Sequence, residues 1–228
     1  MTFNQEHFNQ FILENNVIGF YKEVVELKSG KKSHFYINWR TLTEDVRATE
    51  ILSHHILQFV KRQGLTPDCF YGVPDGATKV ALLTQYIWAK DYSKSYGVGT
   101  HRFSMGRITP KDHGKEKDKY FVGEPQGKII VLEDVTTTGG SLLSTIDQLV
   151  QSGKQDLIAI GLTNRNDIFE DGNTVEKIFK QKGLPYFALS NAIDLLPQAY
   201  QIQQPGIDIA QKVEQEFQYQ NIPRLKLI

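Results

Sequence analysis

Residues 128–146 read KIIVLEDVTTTGGSLLSTI. Ile129, Ile130, Val131 and Leu132 are apolar at every position rather than at alternate ones, which marks a strand covered on both faces. Such a strand needs helices above and below it. The chain is thereby confined to a mainly parallel sheet built from strand–helix units. The flanking sequence keeps to that plan. CFYGV (69–73), YGVGTHRF (96–103), DLIAIGLTN (156–164) and PYFALS (185–190) read as strands. TKVALLTQYIWAK, GSLLSTIDQLVQSG and NTVEKIFKQKG read as helices between them. The face of the second is Leu142, Leu143, Ile146, Leu149 and Val150.

Upstream, residues 4–15 predict an amphipathic helix, and IGFYKEVVELKSG and HFYINWR predict two strands of a hairpin around KSGKKS. A helix follows from Thr43 to about Arg62, with Leu52, His55, Ile56, Phe59 and Val60 on one face and Gly64 as its stop. GIDIAQKVEQEFQYQ near the C-terminus predicts a helix with a polar face. One stretch, SMGRITPKDHGKEKDKYFVGE (104–124), has no apolar period, and a structureless segment of that length is functional or disordered. No linker divides the chain. The reading is a single domain over 1–228.

Composition narrows the setting. Lys plus Arg and Asp plus Glu both number 26, which gives no electrostatic case for nucleic acid or an anionic membrane. The one cysteine, Cys69, lies in an apolar strand and reads as an inert core residue. His54 and His55 lack metal-ligand spacing, and Trp39 and Trp88 read as packing residues. The N-terminus has no basic region followed by an apolar run, and no run approaches the ~20 residues of a membrane span. The expectation is a soluble cytoplasmic protein.

The acids at the end of the apolar run carry the chemistry. In an open parallel sheet, ligands bind beyond the carboxyl ends of the strands. Glu133 and Asp134 stand there, followed by Val135, Thr136, Thr137, Thr138, Gly139, Gly140 and Ser141 at a helix N-terminus. Free N–H groups and the helix dipole favour an anion at such a point, glycine admits it closely, and hydroxyls add donors. The turn is expected to hold a phosphate, and the carboxylates to accept from vicinal hydroxyls such as a ribose offers. The plainer alternative is that Thr and Ser merely cap the helix. The stretch is not a Walker loop, since Leu142 stands where a lysine belongs.

VLEDVTTTGGS resembles the phosphoribosyl-pyrophosphate (PRPP) motif of type I phosphoribosyltransferases. ELKSGKKSHFYINWR and RITPKDHG resemble the Leu-Lys-Ser-Gly signature and the mobile catalytic loop of the orotate phosphoribosyltransferases. All three stand in the family's order, across about residues 5–200. The resemblance implies the type I phosphoribosyltransferase fold, a mainly parallel sheet flanked by helices with a core of about 43–190 and a small hood from about 1–40 plus part of the C-terminal region, and the Mg²⁺-dependent reaction of orotate with PRPP in pyrimidine synthesis, giving orotidine 5′-monophosphate and pyrophosphate. It implies loop cations Arg107, Lys111 and His113 on the leaving pyrophosphate, and Lys28 between PRPP and the base. It also implies Asp75 and Gly76 at the pyrophosphate turn, Arg165 and Thr137 on orotate, and Phe35, Tyr36 and Ile37 over the base ring, with Tyr36 preferred for stacking. Asp134, backed by Glu133, would orient the ribose hydroxyls. The metal would ride on PRPP with no direct protein ligand, reaching Asp134 through water at most. A homodimer is implied, with each mobile loop acting on the neighbouring subunit.

The match departs in PDGATKVA, where the family's aromatic–lysine pair is replaced by Asp75 and Gly76. Lys79 either reaches into the vacated space or serves only the first turn of a helix. A second departure is Ile108, where a basic residue sometimes follows the loop arginine. The alternatives are an enzyme of the same fold for another base, and a regulator that binds PRPP without catalysis.

Overall fold

The computed structural model describes residues 2–27, 30–107, 120–167, 172–218 and 225–228. Helix α1 (Gln5–Glu14) is capped by Asn4, whose side chain accepts from the His7 amide at 3.0 Å, and it buries Phe8, Ile12 and Leu13. Strands β1 (Ile18–Glu26) and β2 (Lys32–Ile37) form the predicted antiparallel hairpin. Along β2, Ser33, Phe35 and Ile37 are buried in alternation, as a strand with one covered face requires. The second strand ends sooner than its sequence predicts. The Asn38 side chain accepts from the Arg40 amide at 3.1 Å and starts α2 (Trp39–Leu42), so Trp39 and Arg40 are helical. Helix α3 (Val46–Arg62), capped by Asp45, buries Leu52, Ile56, Phe59 and Val60, and Gly64 terminates it with a φ of 67°.

Strand β3 (Cys69–Gly72) leads into α4 (Thr78–Asp91). YGVGTHRF is not a strand. Thr100 donates to the Gly97 carbonyl from both its amide (3.2 Å) and its hydroxyl (2.8 Å), closing a turn that leaves Val98 exposed. The glycines on either side of Val98 favour that turn over extension. Strand pairing comes later, where β4 (Met105–Gly106) meets β5 (Phe121–Val122) antiparallel across the charged segment. Residues 108–119 of that segment lie outside the described residues.

The predicted alternation then holds through β6 (Ile129–Thr136), α5 (Gly140–Gln151), β7 (Leu157–Asn164), α6 (Val175–Gln181) and β8 (Tyr186–Asn191). Of the face expected on α5, Leu142, Ile146 and Leu149 are buried, Leu143 is half-buried and Val150 is exposed. Helix α7 (Ala192–Gln203) has no counterpart in the sequence reading, and α8 (Ile207–Gln218) closes the fold.

Strands β3, β6, β7 and β8 lie side by side in that order, all parallel. Ile130 and Leu132 of β6 pack with α1, α3, α4 and α7, whereas Ile129 and Val131 pack with α5 and α6. Both faces are covered, which is what the unbroken apolar run demands. Helix α8 turns Ile209, Ala210, Val213 and Phe217 inward, and Phe217 stacks on Phe35 of the hairpin at 5.8 Å. No helix among the described residues is long and apolar enough to cross a membrane.

Candidate active site

A cleft opens beyond the carboxyl end of β6. Val135, Thr137, Thr138, Gly139, Gly140 and Ser141 form one wall. Gly139 occupies the N-cap of α5 in the left-handed region (φ 74°), and no side chain caps the helix. Any other residue would be strained there. The N-cap position is thus held by Gly139 and not by Thr137, Thr138 or Ser141. The N-terminus of α5 faces the cleft with backbone and hydroxyl donors, an arrangement suited to phosphate. Thr136 is the exception in this run. Strand β6 continues through it in register with Asn164, and its side chain is fully buried, outside the cleft lining.

The acid pair divides between the two sides of the sheet, because adjacent strand residues face opposite ways. Glu133 follows Val131 toward α5 and α6. It is 5 % exposed, and its charge acts on the buried Tyr186 hydroxyl. Asp134 follows Leu132 on the opposite side and faces the wall formed by the turn after β3. The fit there is close, since a Cβ on Gly76 would lie 2.1 Å from Asp134 Oδ2. Glycine is the side chain that leaves the carboxylate room. Burial pushes the Asp134 carboxyl above its ordinary value, and Arg40, with Nε 3.7 Å from Oδ2, pulls it part of the way back. Arg40 is largely exposed, so the pair alone is worth little.

The hairpin, through Leu27, Tyr36 and Ile37, and α2 with its cap, through Asn38 and Arg40, supply another wall. Tyr36 is half-buried, whereas Phe35 is a core residue. Arg165 closes the floor. Its amide donates to the Thr136 carbonyl at 2.9 Å, so the parallel register of β6 and β7 sets it beside the Thr/Gly wall. The residue lines the cleft although it is only 1 % exposed. Nε donates to Asp167 Oδ2 (3.1 Å), Nη1 to the Phe35 carbonyl (3.3 Å) and Nη2 to Ser33 Oγ (2.7 Å). Burial lowers the Arg165 pKa from its ordinary value, and Asp167 and Glu216 oppose the shift.

The structure thus brings Glu133, Asp134, Val135, Thr137, Thr138, Gly139, Gly140, Ser141, Gly76, Tyr36, Ile37 and Arg165 to one cleft. Asp75 is exposed and outside the lining, and Lys79 stands exposed in the first turn of α4, also outside it. Arg107 sits at the foot of the β4–β5 pair, its amide bonded to the Tyr120 carbonyl at 2.9 Å. The neighbouring Gly106 lies against Pro74 of the cleft wall. Lys28, Lys111 and His113 lie outside the described residues. Arg40 and Asn38 are cleft residues that the sequence reading did not assign. The signal was the Asn-x-Arg spacing, in which Asn38 caps the short helix that carries Arg40 toward Asp134.

No family model matches the chain. It is 30 % identical over 180 residues to an orotate phosphoribosyltransferase of a Bradyrhizobium species, covering 75 % of this chain and 88 % of that one. Its fold superposes on the crystal structure of orotate phosphoribosyltransferase from Francisella tularensis with a TM-score of 0.66 at 18 % identity, over 93 % and 98 % of the two chains. It superposes on the Leishmania donovani UMP synthase with a TM-score of 0.67 at 16 % identity, over 94 % of this chain and 41 % of that one.

Proposed function

The chain belongs to the orotate phosphoribosyltransferase family, and from that membership and the cleft we propose a division of labour for the transfer of phosphoribose from PRPP to orotate. The reaction is a step of pyrimidine synthesis. A bond forms between N1 of orotate and C1 of the ribose as the bond from C1 to the pyrophosphate oxygen breaks. The observation that carries the assignment is the meeting, beyond the strand ends, of a helix N-terminus capped by glycine, a half-buried carboxylate and a buried arginine.

The 5-phosphate sits at the N-terminus of α5, on the amides and hydroxyls of 137–141. Asp134 accepts from the ribose hydroxyls and offsets the positive charge that develops on the ring as the C1–oxygen bond loosens. Glu133, turned to the other side, supports it from beneath. Arg165 pairs with the orotate carboxylate, Thr137 touches the base, and Tyr36 and Ile37 cover the ring. The N1 proton leaves to a pyrophosphate oxygen or to water as the bond forms, so the chain itself need supply no general base. Arg107, Lys111 and His113 supply cations to the departing pyrophosphate, and Lys28 serves between PRPP and the base.

Among the described residues no three His, Cys, Asp or Glu groups gather to hold a metal. The cleft offers Asp134 as a partly exposed carboxylate, a donor set that suits Mg²⁺ bound chiefly by phosphate oxygens and keeping its waters. Mg²⁺ so held would neutralise charge on the leaving pyrophosphate.

Pyrophosphate release measured with PRPP and each of orotate, uracil, adenine and guanine tests the base assignment. Release is expected with orotate alone, and release with a purine but not orotate would assign the cleft to another base. The setting we propose is a cytoplasmic homodimer in which each 107–114 loop serves its neighbour. Lys111→Ala and Asp134→Asn chains, each inactive alone, should then regain partial activity when mixed, whereas verified heterodimers without activity would place the loop in its own subunit.

A further inference from the structure

Arg165 has more partners than charge balance needs. A guanidinium has five N–H groups in one plane, and three of them are engaged by Asp167, the Phe35 carbonyl and Ser33. Its carbon lies over the Phe35 ring, 3.8 Å from the centroid. Asp167, which also pairs with Lys31, is its first counter-ion. The second is Glu216, on α8 at the far end of the sequence.

Glu216 works chiefly through Ser33. The Ser33 hydroxyl accepts from Arg165 Nη2 at 2.7 Å. Its single proton has two acceptors in reach, Glu216 Oε2 at 2.7 Å and the Phe35 carbonyl at 3.0 Å, and the nearer, charged one takes it. The other Glu216 oxygen accepts from the His34 amide at 2.7 Å, and Oε2 lies 3.5 Å from Nη2. This chain of guanidinium, hydroxyl and carboxylate fixes the plane of Arg165 at a point where neither Glu216 nor Asp167 lines the cleft.

We infer that Glu216 is a positioning residue for base recognition. Acting through Ser33, it sets the rotation of the Arg165 guanidinium so that the N–H groups left for the cleft meet the base's carboxylate as a fork. The inference rests on the assignment of Arg165 to orotate made above. Two-point pairing requires the plane to be held before the ligand arrives. Donors so fixed, and left unpaired by uracil, discriminate against a base without a carboxylate. Helix α8 thereby contributes to specificity without touching the base.

The test compares the KM for orotate and for PRPP in Glu216→Gln, Ser33→Ala, Arg165→Ala and the double variant Arg165→Ala/Glu216→Gln. Glu216→Gln preserves shape and removes the charge. Ser33→Ala removes the link and gives the same reading should Glu216→Gln fail to fold. Each is expected to raise the orotate KM about tenfold and to leave the PRPP KM within about twofold. In the double variant, the Glu216 change should add nothing to the effect of Arg165→Ala. An orotate KM that is unchanged or lowered in both single variants, a parallel rise in both KM values, or additive effects in the double variant would overturn the inference while leaving Arg165 on the base. An unchanged orotate KM in Arg165→Ala would instead overturn the assignment of Arg165 and this inference with it.

Discussion

Asp134 is held in a place that favours its neutral form. Burial raises its carboxyl above the ordinary range, and its wall is a glycine that leaves no space to spare. A raised folded-state pKa gives stability that is present at low pH and lost as the pH rises through that value. The ionised carboxylate is therefore a net cost to the fold at neutral pH, a cost that ribose hydroxyls and a developing cation would offset in the proposed reaction. Asp134→Asn should hold or raise the melting temperature while lowering turnover by on the order of a hundredfold or more. Turnover at the wild-type level in the folded variant would remove Asp134 from the mechanism. The acid pair and the Thr/Gly turn were legible as residues because charge at the end of an apolar strand needs a partner. Arg40 was not, because its reach to Asp134 depends on a one-turn helix that only the Asn38 cap reveals.

At the scale of elements, the sequence showed the parallel strands and the helices between them, since those depend on local apolar period. It misread three segments, each for a tertiary or turn-level reason. Trp39 and Arg40 continue an apolar, aromatic run but turn helical behind a cap, and Trp39 Nε1 finds Thr163 Oγ1 at 3.0 Å in the interior. YGVGTHRF has strand-like composition but closes on its glycines. Helix α7 carries Pro197, which hides it from a pattern search, yet it buries Leu195, Leu196 and Ala199 against the core. The α1–α3 contact offers a test of element packing. His55 of α3 lies against Phe8 and Phe11 of α1, at 5.1 and 5.2 Å between ring centroids, and its Nδ1 has no hydrogen-bond partner among the described residues. Burial lowers its pKa, with His7 and His54 adding to the shift. Stability from the neutral ring is present above the unfolded value of 6.5 and is lost as the pH falls below it. The melting temperature should fall between about pH 7 and pH 5, and His55→Leu should flatten that dependence. A wild-type slope retained in His55→Leu would assign it to other groups.

For the whole molecule, the cleft gathers residues that are scattered along the chain. The hairpin and α2 bring Leu27, Tyr36, Ile37, Asn38 and Arg40, the turn after β3 brings Val73, Pro74 and Gly76, the end of β6 and the start of α5 bring Glu133–Val135 and Thr137–Ser141, and β7 leads to Arg165. The sheet order explains the last two, since β6 and β7 are neighbours in register and their carboxyl ends adjoin. Sequence order alone showed that these motifs follow one another. It did not show that Arg165 is a buried hub joining the hairpin and α8, because that depends on Phe217 stacking on Phe35 and on Glu216 reaching Ser33. The central claim is that this cleft transfers phosphoribose to orotate, and the most direct measurement follows orotate absorbance when PRPP and Mg²⁺ are added together. Orotate should be lost, with one pyrophosphate released for each orotate consumed, and omission of PRPP should stop the reaction. Steady orotate absorbance in the presence of all components, from a protein that still binds PRPP, would contradict the claim and point to a regulator that binds without catalysis.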